Sequence, residues 1–187
     1  MKRMERAGLL LAFAGLSLLI GCGEAGMYTP APMLLPPHIR KIAVRPVANK
    51  TQFFGLEEKL RLRLEEEFIR DGRLPYVNNE TEADGVVVGE IVRYIKEPIS
   101  YDANHVVEEY KLWVIMNLQF IDRVNNVILW QEPRMDQEYR YFVETKPGGV
   151  TEDEARELLW ELFSRDIVKR TIEGFGSVSG ASQRKVS

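Results

Sequence analysis

A single thiol, two imidazoles and two runs of carboxylates are the groups in this chain whose types could do chemistry. Cys22 is the only cysteine among 187 residues. Counting therefore excludes a disulfide within the chain, leaving a free thiol, a nucleophile or a site of alkylation. Its position favours the last. It closes residues 7–21, an uncharged and largely apolar run preceded by Lys2, Arg3 and Arg6, with Glu5 the one opposing charge. A spanning helix needs about 20 apolar residues, so fifteen are too few. A basic start, a short apolar centre and small residues before the cysteine read as a secretory signal, and a free thiol is unusual in an exported protein. The competing reading is a buried helix that ends in an ordinary cysteine.

The remaining groups nominate no catalyst. His38 and His105 have no cysteine or histidine at metal-ligand spacing, so no metal is expected. G-x-S-x-G and P-loop patterns are missing from the sequence. Glu65, Glu66 and Glu67 stand in a row, as do Glu152, Asp153 and Glu154. Consecutive helical residues fan over different faces, so neither triplet converges as paired carboxylates must. They read as a solvated helix face and a helix N-terminal turn. The expectation is a protein that is not an enzyme and needs no cofactor.

Leu19-Ile20-Gly21-Cys22 resembles the lipobox of bacterial lipoproteins. That resemblance implies that the Cys22 thiol becomes a thioether and that Cys22 becomes the mature N-terminus, carrying acyl chains such as palmitate. Each buried CH₂ contributes about 0.8 kcal/mol, so two or three chains attach a protein stably to a membrane without a spanning helix. Gly23, where inner-membrane lipoproteins commonly have Asp, favours the outer membrane, with the domain on its periplasmic side. Residues 1–21 carry three cations and one anion, so their removal leaves 166 residues and takes the net charge from −3 to −5. That length suits one domain with a real core. A mildly acidic chain without a basic run argues against nucleic acid as a partner.

Residues 22–37 include Pro30, Pro32, Pro36 and Pro37 and read as an extended tether, although Met33, Leu34 and Leu35 would also suit an arm packed on the fold. The domain then runs over 38–175. Ile42, Val44 and Val47 predict a first strand ending near Pro46. Leu56, Leu60, Leu64 and Phe68 recur every four residues in a helix over 55–71, closed by Gly72. Residues 74–77 suggest a short edge strand. Residues 85–96 predict a longer strand that Pro98 stops. Residues 107–122 alternate, with Tyr110, Leu112, Val114, Met116, Leu118 and Phe120 on one face. Asn125-Asn126 supplies a turn into a strand over 127–143, where Pro133 marks a bulge. Thr151 and Glu154 form a capping box for a last helix reaching about Phe175, with Ala155, Leu158, Leu159, Leu162, Phe163 and Ile167 inward. Residues 176–187 are small and polar and predict a disordered tail. The class is α+β: two helices packed on one face of a mainly antiparallel four-stranded sheet, in the order β-α-(β)-β-β-β-α.

Such a sheet has one face without helices. Trp113, Ile115 and Trp130 fall there by alternation, and they are apolar for a solvated face. They mark either a partner-binding surface or a second small core beneath loops.

Four stretches follow the lipobox in order: "IRKIAVRPVANKTQFFGLEEKLRLRLEEEFIRDGRL" (39–74), "ADGVVVGEIVRYIKEPISYDANHVVEEYKLWV" (83–114), "ILWQEP" (128–133) and "TEDEARELLWELFSRDIVKRTIEGF" (151–175). Together they resemble the lipopolysaccharide-assembly lipoprotein family, LptE. The resemblance implies an outer-membrane lipoprotein that plugs and helps assemble an LptD-like β-barrel translocon, binds lipopolysaccharide in transit, and catalyses nothing. Basic residues at one end of the sheet would meet lipid A phosphates. Asp102, Ala103, Asn104 and His105 supply no cation to the loop after Tyr101, which leaves Lys146 and Arg140 as the nearest candidates. "KIAVRPVANKT" (41–51) also resembles the first strand of periplasmic lipoproteins that activate peptidoglycan synthases or form export pores, although the later hairpin and final helix fit those less well.

If Cys22 carries the only membrane attachment, Cys22→Ser should leave the protein uncleaved or soluble. Membrane fractionation in a strain without a barrel partner checks this, and mature variant in the outer-membrane fraction would contradict it.

Overall fold

The computed structural model describes residues 35–173 and the backbone of 184–185. Cys22, the signal segment and nearly all of the tether lie outside the described residues, as does the tail apart from that dipeptide.

The strands are β1 (Ile42–Val44), β2 (Ala48–Asn49), β3 (Gly85–Tyr101), β4 (Val107–Asp122), β5 (Val127–Phe142) and β6 (Arg184–Lys185). The helices are α1 (Leu56–Asp71) and α2 (Glu152–Glu173). One sheet runs β1-β3-β4-β5-β6, with β2 also pairing β3. Two helices thus cover one face of a mainly antiparallel sheet, in the element order the sequence implies. β1 and β2 lie parallel to β3, which requires a crossover, and α1 supplies it. The short segment near Leu74 forms a single bridge, Ile42 with Tyr76, that places it outside β1.

β4 is central and is paired along nearly its whole length on both sides. Its alternation puts Leu112, Val114, Met116, Leu118 and Phe120 in the core beneath the helices. Two glycines of β3 give these side chains room. A Cβ at Gly85 would lie 2.4 Å from the Phe120 ring, and one at Gly89 would lie 2.9 Å from the Met116 methyl group.

α1 begins after Gly55 (φ 80°) and ends at Gly72 (φ 68°), whose N–H donates to the Phe68 carbonyl. Leu56, Leu60, Leu64 and Phe68 are buried as the stripe predicts. Thr151 caps α2 as expected: Glu154 N–H donates to Thr151 Oγ1 at 3.1 Å, and Thr151 N–H donates to Glu154 Oε2 at 2.9 Å. The buried face of α2 differs from the predicted one. Trp160, Val168 and Ile172 are buried, whereas Leu158 and Leu162 are largely exposed. The stripe that meets β4 and β5 follows 155, 159/160, 163/164, 167/168 and 171/172, so 158 and 162 fall beyond its edge.

Two expectations about prolines part company. Pro133 does sit in a bulge: the register shifts between Met116 and Leu118, and Arg134 has φ 66°. Pro98, by contrast, does not stop β3. The strand continues to Tyr101 through bulges between Pro98, Ser100 and Tyr101, because β1 and β2 leave its outer edge unpaired beyond Ile91.

Leu118→Ala should cost about 2–5 kcal/mol, the range for deleting a buried leucine side chain. Gln119→Ala, on the opposite face, should cost far less. Urea denaturation of both variants checks the phase of β4.

Candidate functional site

The helix-free face divides into two parts. Beside β1 it is covered: the segment through the single-turn 3-10 helix Glu80–Glu82 brings Ala83 and Val77 over Ala43, Val86 and Val88. Asp84 fixes this segment by accepting the backbone N–H groups of Arg40 and Lys41 at 2.9 and 3.0 Å. Trp113 and Ile115 are not in that small core.

Further along β4 no helix among the described residues covers this face. Trp113 lies between Ile95 of β3 and Glu138 of β5. Its indole Nε1–H donates to Asp136 Oδ2 at 3.0 Å, and Lys111 Nζ stands 5.7 Å from its ring centroid. Ile115 is flanked by Arg93 and Asp136 and is only 4 % exposed, because those neighbours and Trp113 enclose it within the face. The result is a mixed patch: an indole and two isoleucines set among Arg93, Lys111, Asp136, Glu138 and Arg140. Arg140 pairs across the strands with Lys111 and lies 3.6 Å from Glu138.

Trp130 is not part of this patch. A register shift between Phe120 and Ile121 inserts Leu129 as an extra residue, so Trp130 pairs with Phe120 and stacks on it at 6.1 Å. It packs against the main core beneath the helices. A one-residue bulge exchanges faces for the residues beyond it, which is why alternation read from the sequence misplaces Trp130.

Lys146 stands apart from Arg140, in the loop after β5, where its ammonium is ion-paired with Glu108. The hydrogen bond that Lys146 donates to Glu108 holds its pKa above the ordinary value. The preceding loop is a tight turn: Asp102 Oδ1 accepts N–H groups of Asn104 and Val106, and His105 takes φ 63°.

Two polar arrangements were not legible as motifs. At one end of the sheet His38 Nε2 lies 2.7 Å from Asp122 Oδ2, and Asn125 donates to the same carboxylate from its backbone and side chain. Asp122 is 1 % exposed, so His38 is a fixed partner of a buried carboxylate rather than a solvated arm residue. About ten residues further along the sheet Glu152 accepts from Tyr94 Oη at 2.9 Å and from Lys96 Nζ at 2.8 Å. Against the burial that would raise it, the hydrogen bonds from Lys96 and Tyr94 keep the Glu152 carboxyl below its usual range. Burial, then the bond to Glu152, pushes the Tyr94 phenol up. Both arrangements join residues far apart in sequence, which no spacing rule could bring together. Among the described residues no group of three or more metal-ligating side chains occurs, and no helix is long and apolar enough to cross a membrane.

The domain is a two-layer α+β fold in which, among the described residues, part of one sheet face carries no helix. The model of the LptE lipopolysaccharide-assembly family matches residues 39–172, and the chain belongs to that family. The hypothetical protein CT253 from Chlamydia trachomatis shares the fold at 16 % identity and TM-score 0.53, over 72 % of this chain and 96 % of that one. Protein XCC0632 from Xanthomonas campestris does so at 9 % identity and TM-score 0.52, over 75 % and 90 %. At such identities the likeness is one of fold. No curated protein matches the chain.

The depressed Glu152 pKa makes a signed prediction. A carboxyl with a lowered folded pKa stabilises above its unfolded value, near 4.5, and loses that contribution as pH falls through the folded value. Glu152→Gln should therefore lower Tm at neutral pH and flatten its decline in acid. Thermal melts from about pH 7 down to about pH 3 test the slope.

Proposed function

We propose that the protein is an outer-membrane lipoprotein, anchored through Cys22, that acts as plug and assembly partner of an LptD-like barrel in lipopolysaccharide transport. Membership of the LptE family carries this reading. The uncovered part of the sheet supports it in physical terms. Barrel interiors are polar and wet, so a domain filling one needs a mixed contact surface rather than an oily one. Trp113, set among ion-paired and hydrogen-bonded charges with Ile115 buried beside it, offers that mixture. Trp130, partly buried against the core on the other face, is not among the contacts proposed here. Lipopolysaccharide carries phosphates, and Arg140 and Lys146 are the cations assigned to them. Both have a carboxylate neighbour, so an incoming phosphate must compete with Glu138 and Glu108. Their contribution should fall as salt rises.

The test is extraction of native membranes in detergent, pull-down of the full-length protein, and identification of what accompanies it. A large barrel protein is expected; a peptidoglycan synthase would overturn the proposal. Trp113→Asp should reduce the recovered complex at least tenfold, as for a central aromatic anchor worth about 2 kcal/mol or more. Circular dichroism of the purified variant should remain native. Loss of native dichroism would make Trp113 a core residue, and a normal complex would place the contact elsewhere.

A further inference from the structure

The loop between β2 and α1, residues 50–55, lies on the helix layer and away from the sheet face assigned above. Its Phe54 is 95 % exposed, more than any other large apolar side chain among the described residues. The loop around it is tied down. Asn49 Oδ1 accepts Thr51 N–H and Thr51 Oγ1–H, while Asn49 Nδ2 donates to the Phe53 carbonyl at 2.6 Å and to Glu57 Oε2 at 2.7 Å. Lys50 N–H donates to the Ile91 carbonyl at 2.9 Å. Phe53, 40 % exposed, packs one side of its ring against Tyr94 with centroids 5.0 Å apart. Of two adjacent phenylalanines, one is used by the fold and the other is held in water. Folding derives nothing from Phe54 there, whereas a partner gains a large apolar anchor with little ordering cost, because the backbone beneath it is already fixed.

The surrounding charge says what kind of partner. The cations of this end are already paired: Lys50 with Glu90, Lys96 with Glu152, Arg61 with Glu58 and Glu65, and Arg156 with Glu152 and Asp153. Glu57 and Glu154 have no cation within ion-pairing distance among the described residues; Glu57 accepts from Asn49, and Glu154 caps α2. The surplus is acidic. An anionic bilayer or a lipid phosphate would be repelled, and a second copy of the same acidic end would be repelled too.

We infer that the Phe54 loop is a docking knob for a protein partner whose surface presents an apolar pocket rimmed by Lys or Arg. This contact is separate from the sheet face assigned to the barrel, and either can fail without the other.

The experiment places a photo-crosslinking benzoylphenylalanine at the exposed Gln52 of the full-length protein in native membranes. It is run alone and combined with Phe54→Ser or Glu57→Gln. The expected result is an adduct to a protein whose crosslinked peptide contains apolar residues flanked by Lys or Arg. Phe54→Ser should lower its yield at least tenfold, and Glu57→Gln severalfold at low salt with the difference vanishing at high salt. Unchanged thermal melts of both variants show that the loss is one of docking. Adducts to phospholipid, to lipopolysaccharide or to a second copy overturn the inference. So does a peptide without basic residues, or a yield that Phe54→Ser leaves unchanged.

Discussion

The constraint on which the rest depends is the position of β4. It is the one long strand hydrogen-bonded along both edges, and its inward face is uninterrupted from Leu112 to Phe120. Side chains on a strand alternate strictly, so burying one face fixes which residues can be seen on the other. β3 accommodates the bulk of that inward face with glycine opposite Leu118 and near Phe120 rather than by moving away. α1 and α2 then lie over the same face, each through a stripe of one residue per turn or two. The open face is what remains, and its character is set by a requirement satisfied elsewhere.

Alternation is legible in sequence where nothing interrupts it. The inward set of β4 could be read directly, as could the Leu56 to Phe68 stripe, the T-x-x-E cap of α2 and the terminal Gly72. Each is a local pattern with a local cause. Trp130 was not legible because a bulge at Leu129 adds one residue to β5, and nothing about Leu129 itself announces that. The bulge at Pro133 was legible because proline removes a ladder donor. The same rule misled at Pro98, where β3 has no neighbour on its outer edge to be deprived of a hydrogen bond. A proline stops a strand only where a partner needs its N–H.

The charged groups show the same division. The glutamate row 65–67 resolves into separate local pairs, Glu65 with Arg61, Glu66 with Arg63 and Glu67 with Arg70, as helical geometry requires. Glu152 does more than pair locally with Arg156. It lies in the first turn of α2, where the helix dipole already favours an anion, yet it also takes Lys96 and Tyr94 from β3. That bond sets the axial position of α2 along the sheet. His38 and Asp122 do the corresponding work at the end of β4, tying the start of the domain to the β4–β5 turn. The helix layer and the entering chain are thus fixed at points about ten residues, roughly 34 Å, apart along β4, opposite Leu112 and at Asp122.

This arrangement explains why a domain with so long a sheet leaves surface over for partners. Two helices of 16 and 22 residues span about 24 and 33 Å, well short of the three long strands. Beyond Lys96 and Tyr110 no helix among the described residues lies above the hairpin, and Ile99, Tyr101, Val106 and Phe142 are exposed there. Aromatic and cationic contacts, Tyr110 with Tyr141 and Lys96 over Tyr110, close the core where the helix layer ends. The mismatch between strand length and helix length is therefore built in. Strands this long are costly to order for a core that ends well before they do, since each residue fixed costs about 1–2 kcal/mol of backbone entropy. The length beyond Lys96 is surplus to the domain's own core, and it is surface that the proposed plug role would use.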